Sequence, residues 1–364
     1  MKKSKILYVS GSRSEYYFMK PILKAIQASD IVELQLILVG QLCESEGDST
    51  RFDIVHNFTT HGHCRTLPVE DDKHDRSEGL SHIVNYVTER CRDLKPDIIM
   101  ATGDREEPLA SAIVGAYLNI PVIHYCGGGI TMGGTADDKV RDAISALSDI
   151  HLTLSRHEAD RLSGMGYSNI HVVGHAGIDR FLDYAADPIK EGIYCVCIFH
   201  PLFGDGSNEL EKLLNPLLTL GIDIYVGSPN TDPGNKSIIE TINKYAAQYP
   251  QIKSYGTISD VKFISMIRGS QFLIGNSSAG VLEIPAFGVP VINILPRQLG
   301  RVTCGDTVSI PMEEDKIILY AKNILNNPRP NIMQSTIYGD FKAVEKIMQV
   351  LEAKGSKMRQ GNLQ

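Results

Sequence analysis

The sequence predicts an α/β protein made of two Rossmann-like domains, each a doubly wound parallel sheet with its ligand at the carboxyl ends of the strands. Three observations lead there. At 364 residues the chain exceeds one ordinary core and fits two domains of roughly 150 to 180 residues. Short β-branched runs bounded by Gly or polar residues alternate with longer amphipathic stretches, as βαβ units require. The alternation stops at residues 183–192, a polar stretch holding Pro188 and Gly192, and then restarts, so that stretch reads as a linker. The expected division is 1–183 and 193–364, with the last helix a segment that could return to the first domain.

The first strand is expected at 5–10. Its Lys-rich approach, Met1 to Lys5, imitates the start of a signal peptide. The apolar run lasts about four residues before Ser10-Gly11-Ser12-Arg13 ends it, short of the ~7 to 15 that such a segment needs. Further strands fall at 34–39, 97–101, 121–125, 151–154 and 170–173. Ile83, Val84, Val87, Cys91 and Leu94 recur at helical spacing until Lys95-Pro96 stops the helix, because proline lacks the donor and clashes with the preceding turn. After the linker, strands are expected at 193–199, 223–227, 252–255, 272–275 and 290–294. In doubly wound sheets the residues just after strands hold the ligand.

Composition narrows the partners. A formal net charge of -7 disfavours nucleic acid and anionic membranes, both of which demand a positive excess. No stretch approaches the ~18 apolar residues that a bilayer span needs. The 7 cysteines are scattered without a CxxC pair, which suggests neither a disulfide framework nor a zinc site. A cytoplasmic, reducing setting is expected.

Several strand ends could carry chemistry. Gly11-Ser12-Arg13 opens a helix and offers backbone N–H groups with a guanidinium for an anion, or is simply a first turn. Gly103-Asp104-Arg105-Glu106-Glu107 is a charged turn in which Asp104 is the better catalytic candidate, since Glu106 and Glu107 suit a helix's first turn; it also fits a solvated turn. His124-Tyr125-Cys126-Gly127-Gly128-Gly129 is a flexible loop followed by Asp137, Asp138 and Arg141. An acid there, with Asp104, could abstract and return protons, while His124 could instead be a buried, hydrogen-bonded histidine. His200-Pro201 and Pro229-Asn230-Thr231-Asp232 follow strands of the second half. Gly275-Asn276-Ser277-Ser278 leads into a helix containing Glu283; its hydroxyls suit a diphosphate and Glu283 suits ribose hydroxyls, or Ser caps the helix with no ligand.

Taken together, these segments resemble the hydrolysing branch of the UDP-N-acetylglucosamine 2-epimerase family, which feeds sialic and legionaminic acid synthesis. The match runs from about Lys5 to about Arg301 and also includes Gly134 to Asp138 and Arg297-Gln-x-Gly-Arg301. The resemblance implies a glycosyltransferase-B-like fold with the nucleotide sugar between the domains. Ser277, Ser278 and Glu283 would grip the nucleotide, Arg13 and His200 would reach the phosphates, and Arg105, Asn230 and Arg301 would complete the binding set. Family enzymes remove the proton at sugar carbon 2 as the nucleoside diphosphate leaves, then add water to the glycal, without nicotinamide or metal. Asp104 and Asp137 match family acids, and His200 stands beside them as a candidate acid for the leaving group. A homo-oligomer, dimer or tetramer, is also implied.

The chain departs from the family where proton handling is concentrated. Hydrolysing members read His-x-Glu-Gly-Gly-Glu, whereas Cys126 and Gly129 occupy the two Glu positions here. A thiol differs from a carboxylate in pKa and geometry. Asp138 or Asp142 could replace a lost carboxylate. The expected activity is hydrolysing 2-epimerisation of a UDP- or GDP-linked 2-acetamido sugar. Hydrolysis without inversion, glycosyl transfer and non-catalytic binding are the alternatives.

Overall fold

Two all-parallel sheets emerge from this alternation in the computed structural model, which describes residues 2–43, 49–65, 75–132, 137–182, 192–202, 206–230, 234–256, 258–328 and 332–359. The linker residues 183–191, the motif residues Gly134 to Ala136, and Asp232 lie outside the described residues.

The first unit alternates β1 (Ser4–Ser10), α1 (Arg13–Ala28), β2 (Val32–Val39), α2 (Ser49–Asn57), β3 (Thr60–Cys64), α3 (Asp75–Leu94), β4 (Ile98–Thr102), α4 (Glu106–Leu118), β5 (Val122–Tyr125), α5 (Asp137–Ala146), β6 (Ile150–Thr153), α6 (Arg156–Gly164), β7 (Ile170–Val172) and α7 (Ala176–Asp179). Its strand order is β3-β2-β1-β4-β5-β6-β7. The second unit contains β8 (Tyr194–Ile198), α8 (Ser207–Leu218), β9 (Asp223–Gly227), α9 (Asn235–Gln248), β10 (Ile252–Tyr255), α10 (Asp260–Gly269), β11 (Leu273–Gly275), the single turn α11 (Ala279–Leu282), β12 (Val291–Ile294), β13 (Thr307–Ile310) and α12 (Glu314–Asn326). Its order is β10-β9-β8-β11-β12-β13.

The order of each sheet reverses at one place, between β1 and β4 in the first unit and between β8 and β11 in the second. Crossovers leave in opposite directions there, so helices diverge and open a crevice at the carboxyl edge. Gly11 to Arg13 and Gly103 to Arg105 follow β1 and β4, while His200 and Gly275 to Ser278 follow β8 and β11. The motifs singled out in the sequence thus flank the two switch points.

Central strands are apolar throughout because helices cover both faces. Leu7, Val9, Ile37, Val39 and Ile99 pack with Ile83, Val87 and Cys91 of α3 and with Val114 of α4. In the second unit Cys195, Cys197, Ile224, Val226, Ile274 and Ile292 pack under α8, α9 and α12. Fully burying each such aliphatic side chain contributes about 1.5 to 3 kcal/mol. Every strand expected from sequence forms, and β3 and β13 are additions. Both are sheet edges and largely half-exposed, so neither needs the apolar run that marks a strand.

The chain divides into units Met1–Gly129, Ala136–Arg180 and Phe341–Gln364 on one side and Ile130–Thr135 with Phe181–Asp340 on the other. A last helix, α13 (Ala343–Arg359), therefore belongs with the first unit. It buries Ala343, Ile347 and Leu351, and it receives hydrogen bonds from Ser4 Oγ at the Gly355 carbonyl (2.9 Å) and from Ser29 Oγ at Glu352 (2.6 Å). Among the described residues no helix is long and apolar enough to cross a membrane.

Candidate functional site

In the first unit the turn after β4 is held from below. His124, wholly buried at the end of β5, sends Nε2 to the Gly103 carbonyl and Nδ1 to Ser145 Oγ, each at 2.9 Å. A carbonyl can only accept, so Nε2 carries the proton and Nδ1 accepts from the serine. Burial pushes this histidine down to about 4, against the opposing pull of the Gly103 bond, and keeps the ring neutral. Of the two readings open for His124, the structure gives the buried one: it positions the Gly103-Asp104 turn.

Asp104 pairs with Arg141, which rises from α5 and is only 2% exposed. Arg141 also donates to Asp138 Oδ1 (2.7 Å) and to the Gly129 carbonyl (2.8 Å). Burial works against the charge of Arg141, but the two aspartates outweigh it and raise its pKa further. Two carboxylates on one buried guanidinium form a fixed, charged floor. Asp137 opens the same helix, whose positive end favours acids there. Asp142 lies elsewhere, in a bidentate pair with Arg161 at 2.7 Å for both bonds. Asp138 is therefore the carboxylate brought to Asp104, and Asp142 is not.

The loop between them reads differently at its two departures from the family. Cys126 is half-buried with φ 68 and its N–H donates to the Leu152 carbonyl. At Gly129 an added Cβ would meet only Arg141 atoms at 3.8 to 3.9 Å, an ordinary contact. A side chain fits there, beside the guanidinium. Arg105, expected to bind substrate, has its Nε 3.7 Å from Glu107 and 3.9 Å from Glu106. Arg13 is the first residue of α1, after Ser12 as N-cap.

In the second unit Asn276 organises the switch point. Its Oδ1 accepts from the His200 N–H (2.7 Å), its Nδ2 donates to the His200 carbonyl (2.9 Å), and its N–H donates to the Ile198 carbonyl (3.1 Å). Gly275 reaches φ 145, and a Cβ there would collide with the Ile198 carbonyl, so only glycine lets β8 and β11 end this close. The N–H of Asn230 donates to His200 Nδ1 at 3.1 Å, which leaves the neutral ring's proton on Nε2. Gln298 Nε2 (3.0 Å) and Arg297 (3.4 Å) donate to the Asn276 carbonyl, and the Arg301 N–H turns back to Gln298, drawing the 297–301 loop to the same point.

Ser277 and Ser278 precede α11. Ser278 occupies the N-cap position, yet its side chain makes no capping bond, so capping is not what its hydroxyl does. Glu283 is a correction: it does not lie within a helix but at the joint between α11 and a 3₁₀ turn, Ile284–Phe287, and it is 8% exposed. Asn276, Gln298 and Ser145 are the positioning residues that sequence reasoning missed. Each is a buried polar side chain, and burial alone distinguishes them.

Comparison with known proteins adds the following. The family model described as UDP-N-acetylglucosamine 2-epimerase matches residues 24–352. A Legionella pneumophila protein named UDP-N,N'-diacetylbacillosamine 2-epimerase (hydrolyzing) is 30% identical, covering 96% of this chain and 95% of its own. The Campylobacter jejuni GDP/UDP-N,N'-diacetylbacillosamine 2-epimerase (hydrolyzing) is 29% identical over 83% of each chain. The crystal structure of a Neisseria meningitidis UDP-GlcNAc 2-epimerase bound to UDP-GlcNAc superposes with TM-score 0.80 at 17% identity, covering 95% of this chain and 99% of that one. That likeness bears on the fold.

Proposed function

The chain belongs to the UDP-N-acetylglucosamine 2-epimerase family and is an enzyme of that type, and from this premise we propose that it is a hydrolysing 2-epimerase of a UDP- or GDP-linked 2-acetamido sugar. The observation that carries the proposal is the pairing of Asp104 and Asp138 on buried Arg141 beside Asp137. In this reading one carboxylate takes the proton from sugar carbon 2 while the bond from carbon 1 to the diphosphate oxygen breaks and the glycal double bond forms. Water then adds its hydroxyl to carbon 1, and a proton returns to carbon 2 on the opposite face. Asp104 and Asp137 are the acid and base. Asp138 supplies the carboxylate that Cys126 and Gly129 no longer provide, and Arg141 fixes its direction. Bases and acids of this kind need different environments to hold different proton affinities.

The second unit takes the nucleotide. Ser277 and Ser278 offer hydroxyls to the diphosphate and Glu283 accepts from ribose, while His200 donates through Nε2 to a phosphate oxygen and assists the leaving group. Arg13, Arg105, Asn230 and Arg301 complete the set. Names of the relatives favour a substituted bacillosamine-type sugar feeding nonulosonic acid synthesis. A second reading, hydrolysis without inversion, is favoured by one observation, the thiol of Cys126 at a family carboxylate position.

Proton NMR in deuterated water with UDP- and GDP-linked 2-acetamido sugars tests both. Free sugar of inverted configuration with deuterium at carbon 2 is the expected product. Unlabelled sugar of unchanged configuration would establish simple hydrolysis, and absence of turnover with every donor would sink both enzyme readings.

A further inference from the structure

Beneath the Gly11–Arg13 turn the first unit buries two carboxyl groups that the mechanism does not use. Glu15 is 6% exposed and Glu107 is 5% exposed. Tyr8, wholly buried in β1, donates its hydroxyl to Glu15 Oε1. Glu107 presses on the turn itself: a Cβ on Gly11 would collide with its Oε1, so the backbone lies directly against the carboxyl group. Its other oxygen, Oε2, accepts no hydrogen bond from the described residues and stands 3.7 Å from Arg105 Nε.

The charges around the pair do not balance it. Arg105 also faces Glu106 at 3.9 Å and lies within electrostatic reach of Glu15. Arg76 of α3 is paired with Glu106. Tyr8 of β1 faces Glu15, and Cys126 at the end of β5 faces Tyr8. Two carboxylates in a low-dielectric site that share Arg105, with Arg76 also acting on Glu107, repel each other, and such a pair releases the strain by keeping a proton. Burial first, and the charge of Glu107 second, push Glu15 up to about 8. Burial likewise raises Glu107, against the pull of Arg105.

We propose that Glu15 and Glu107 form a proton-uptake site coupled to the anion-binding turn above them, so that a nucleoside diphosphate settling on Gly11 to Arg13 draws one proton onto the pair. This rests on the reading of that turn as a phosphate-binding element. The physics is linkage: a multiply charged anion beside the carboxyls makes their ionised form still less favourable. The proton comes from solvent, a buffer acid becoming its base and a carboxylate becoming a carboxylic acid; no bond of the nucleotide breaks. Above about pH 8 each further pH unit then weakens binding, by as much as tenfold.

Isothermal titration calorimetry of the full chain with UDP, at about pH 8.5 in buffers of different ionisation enthalpy, measures the uptake. The terminal phosphate of UDP has lost its own proton there, since that group ionises near pH ~6, so the protein is the only acceptor. The expected result is a buffer-dependent enthalpy corresponding to uptake approaching one proton, which shrinks at about pH 6, where the pair is already protonated. Glu15→Gln or, independently, Glu107→Gln should still bind UDP and lose most of the uptake. A buffer-independent enthalpy for the unaltered chain at about pH 8.5, or uptake retained in both variants, overturns the proposal. Arg13→Ala separates the two readings: weakened UDP binding in that variant, together with no uptake in the unaltered chain, defeats the proton site alone, whereas unaltered affinity in the variant defeats the phosphate-binding turn and the proton site together.

Discussion

Asp104 and Asn276 differ in what their loss should do. Asp104→Asn keeps the shape of the turn and a hydrogen bond toward Arg141 but removes the charge, so turnover should fall by about 10² or more while UDP affinity stays within about twofold; a steady-state assay with parallel calorimetry reads both, and an active variant removes Asp104 from the mechanism. Asn276→Ala should act the other way. It strands the half-buried N–H and carbonyl of His200, costing about 1 kcal/mol or more of stability, and it releases the ring that Asn230 orients, so UDP binding weakens as the melting temperature drops. Asp104 and His200 were legible in sequence because each directly follows an apolar strand. Glu107 was not: an acid in the first turn of a helix is ordinary, and no feature of Gly103-Asp-Arg-Glu-Glu107 tells which acid turns inward. Asn276 hid inside its motif for the same reason, since the hydroxyls beside it looked more chemical.

At the scale of elements, the central strands and the edges β7 and β10 were readable, whereas the edges β3 and β13 were not. Strand β8 carries Cys195 and Cys197 among residues with no exposure at all, as a strand covered on both faces must. Burial pushes Cys197 up to about 12 and Cys195 well above its ordinary value. Timed alkylation with iodoacetamide followed by mass spectrometry should therefore modify half-buried Cys64, Cys126 and Cys304 first and reach the two β8 thiols only on unfolding. Early labelling of β8 would mean that the second sheet opens readily. By contrast β3, with Gly62, His61 and His63 in its five residues, carries no apolar run, and β13 offers only Val308 and Ile310 in alternation with Thr307 and Ser309. Ala279, Gly280, Val281 and Leu282 suit a longer helix than α11 supplies; Pro285 and Gly288 close the stretch, and the chain tightens into the 3₁₀ turn after a single turn.

For the molecule as a whole, two buried groups set opposite limits on stability with pH. His124 is held neutral to about 4 against an ordinary 6.5, so below pH 6.5 the unfolded chain binds a proton that the folded chain refuses, and stability falls toward pH 4. Glu15 is raised from 4.5 to about 8, so its contribution is fully present below pH 4.5 and is lost as the pH rises toward 8. Each slope is about 1.4 kcal/mol per pH unit, and they oppose each other between 4.5 and 6.5, with Glu107 on the side of Glu15 and His151 and His171 on the side of His124. Melting temperature should thus change least across that window and decline from pH 6.5 to 8, and Glu15→Gln should lessen the decline; an equal decline in the variant would mean that Glu15 is ionised when folded. The division of the chain has a different outcome, in the order of synthesis. Because α13 comes after the whole of Phe181–Asp340, yet supplies Ala343, Ile347 and Leu351 to the first unit, a ribosome delivers the second unit complete before the first can be finished. The N-terminal sheet must wait through that interval with the seat of α13 bare.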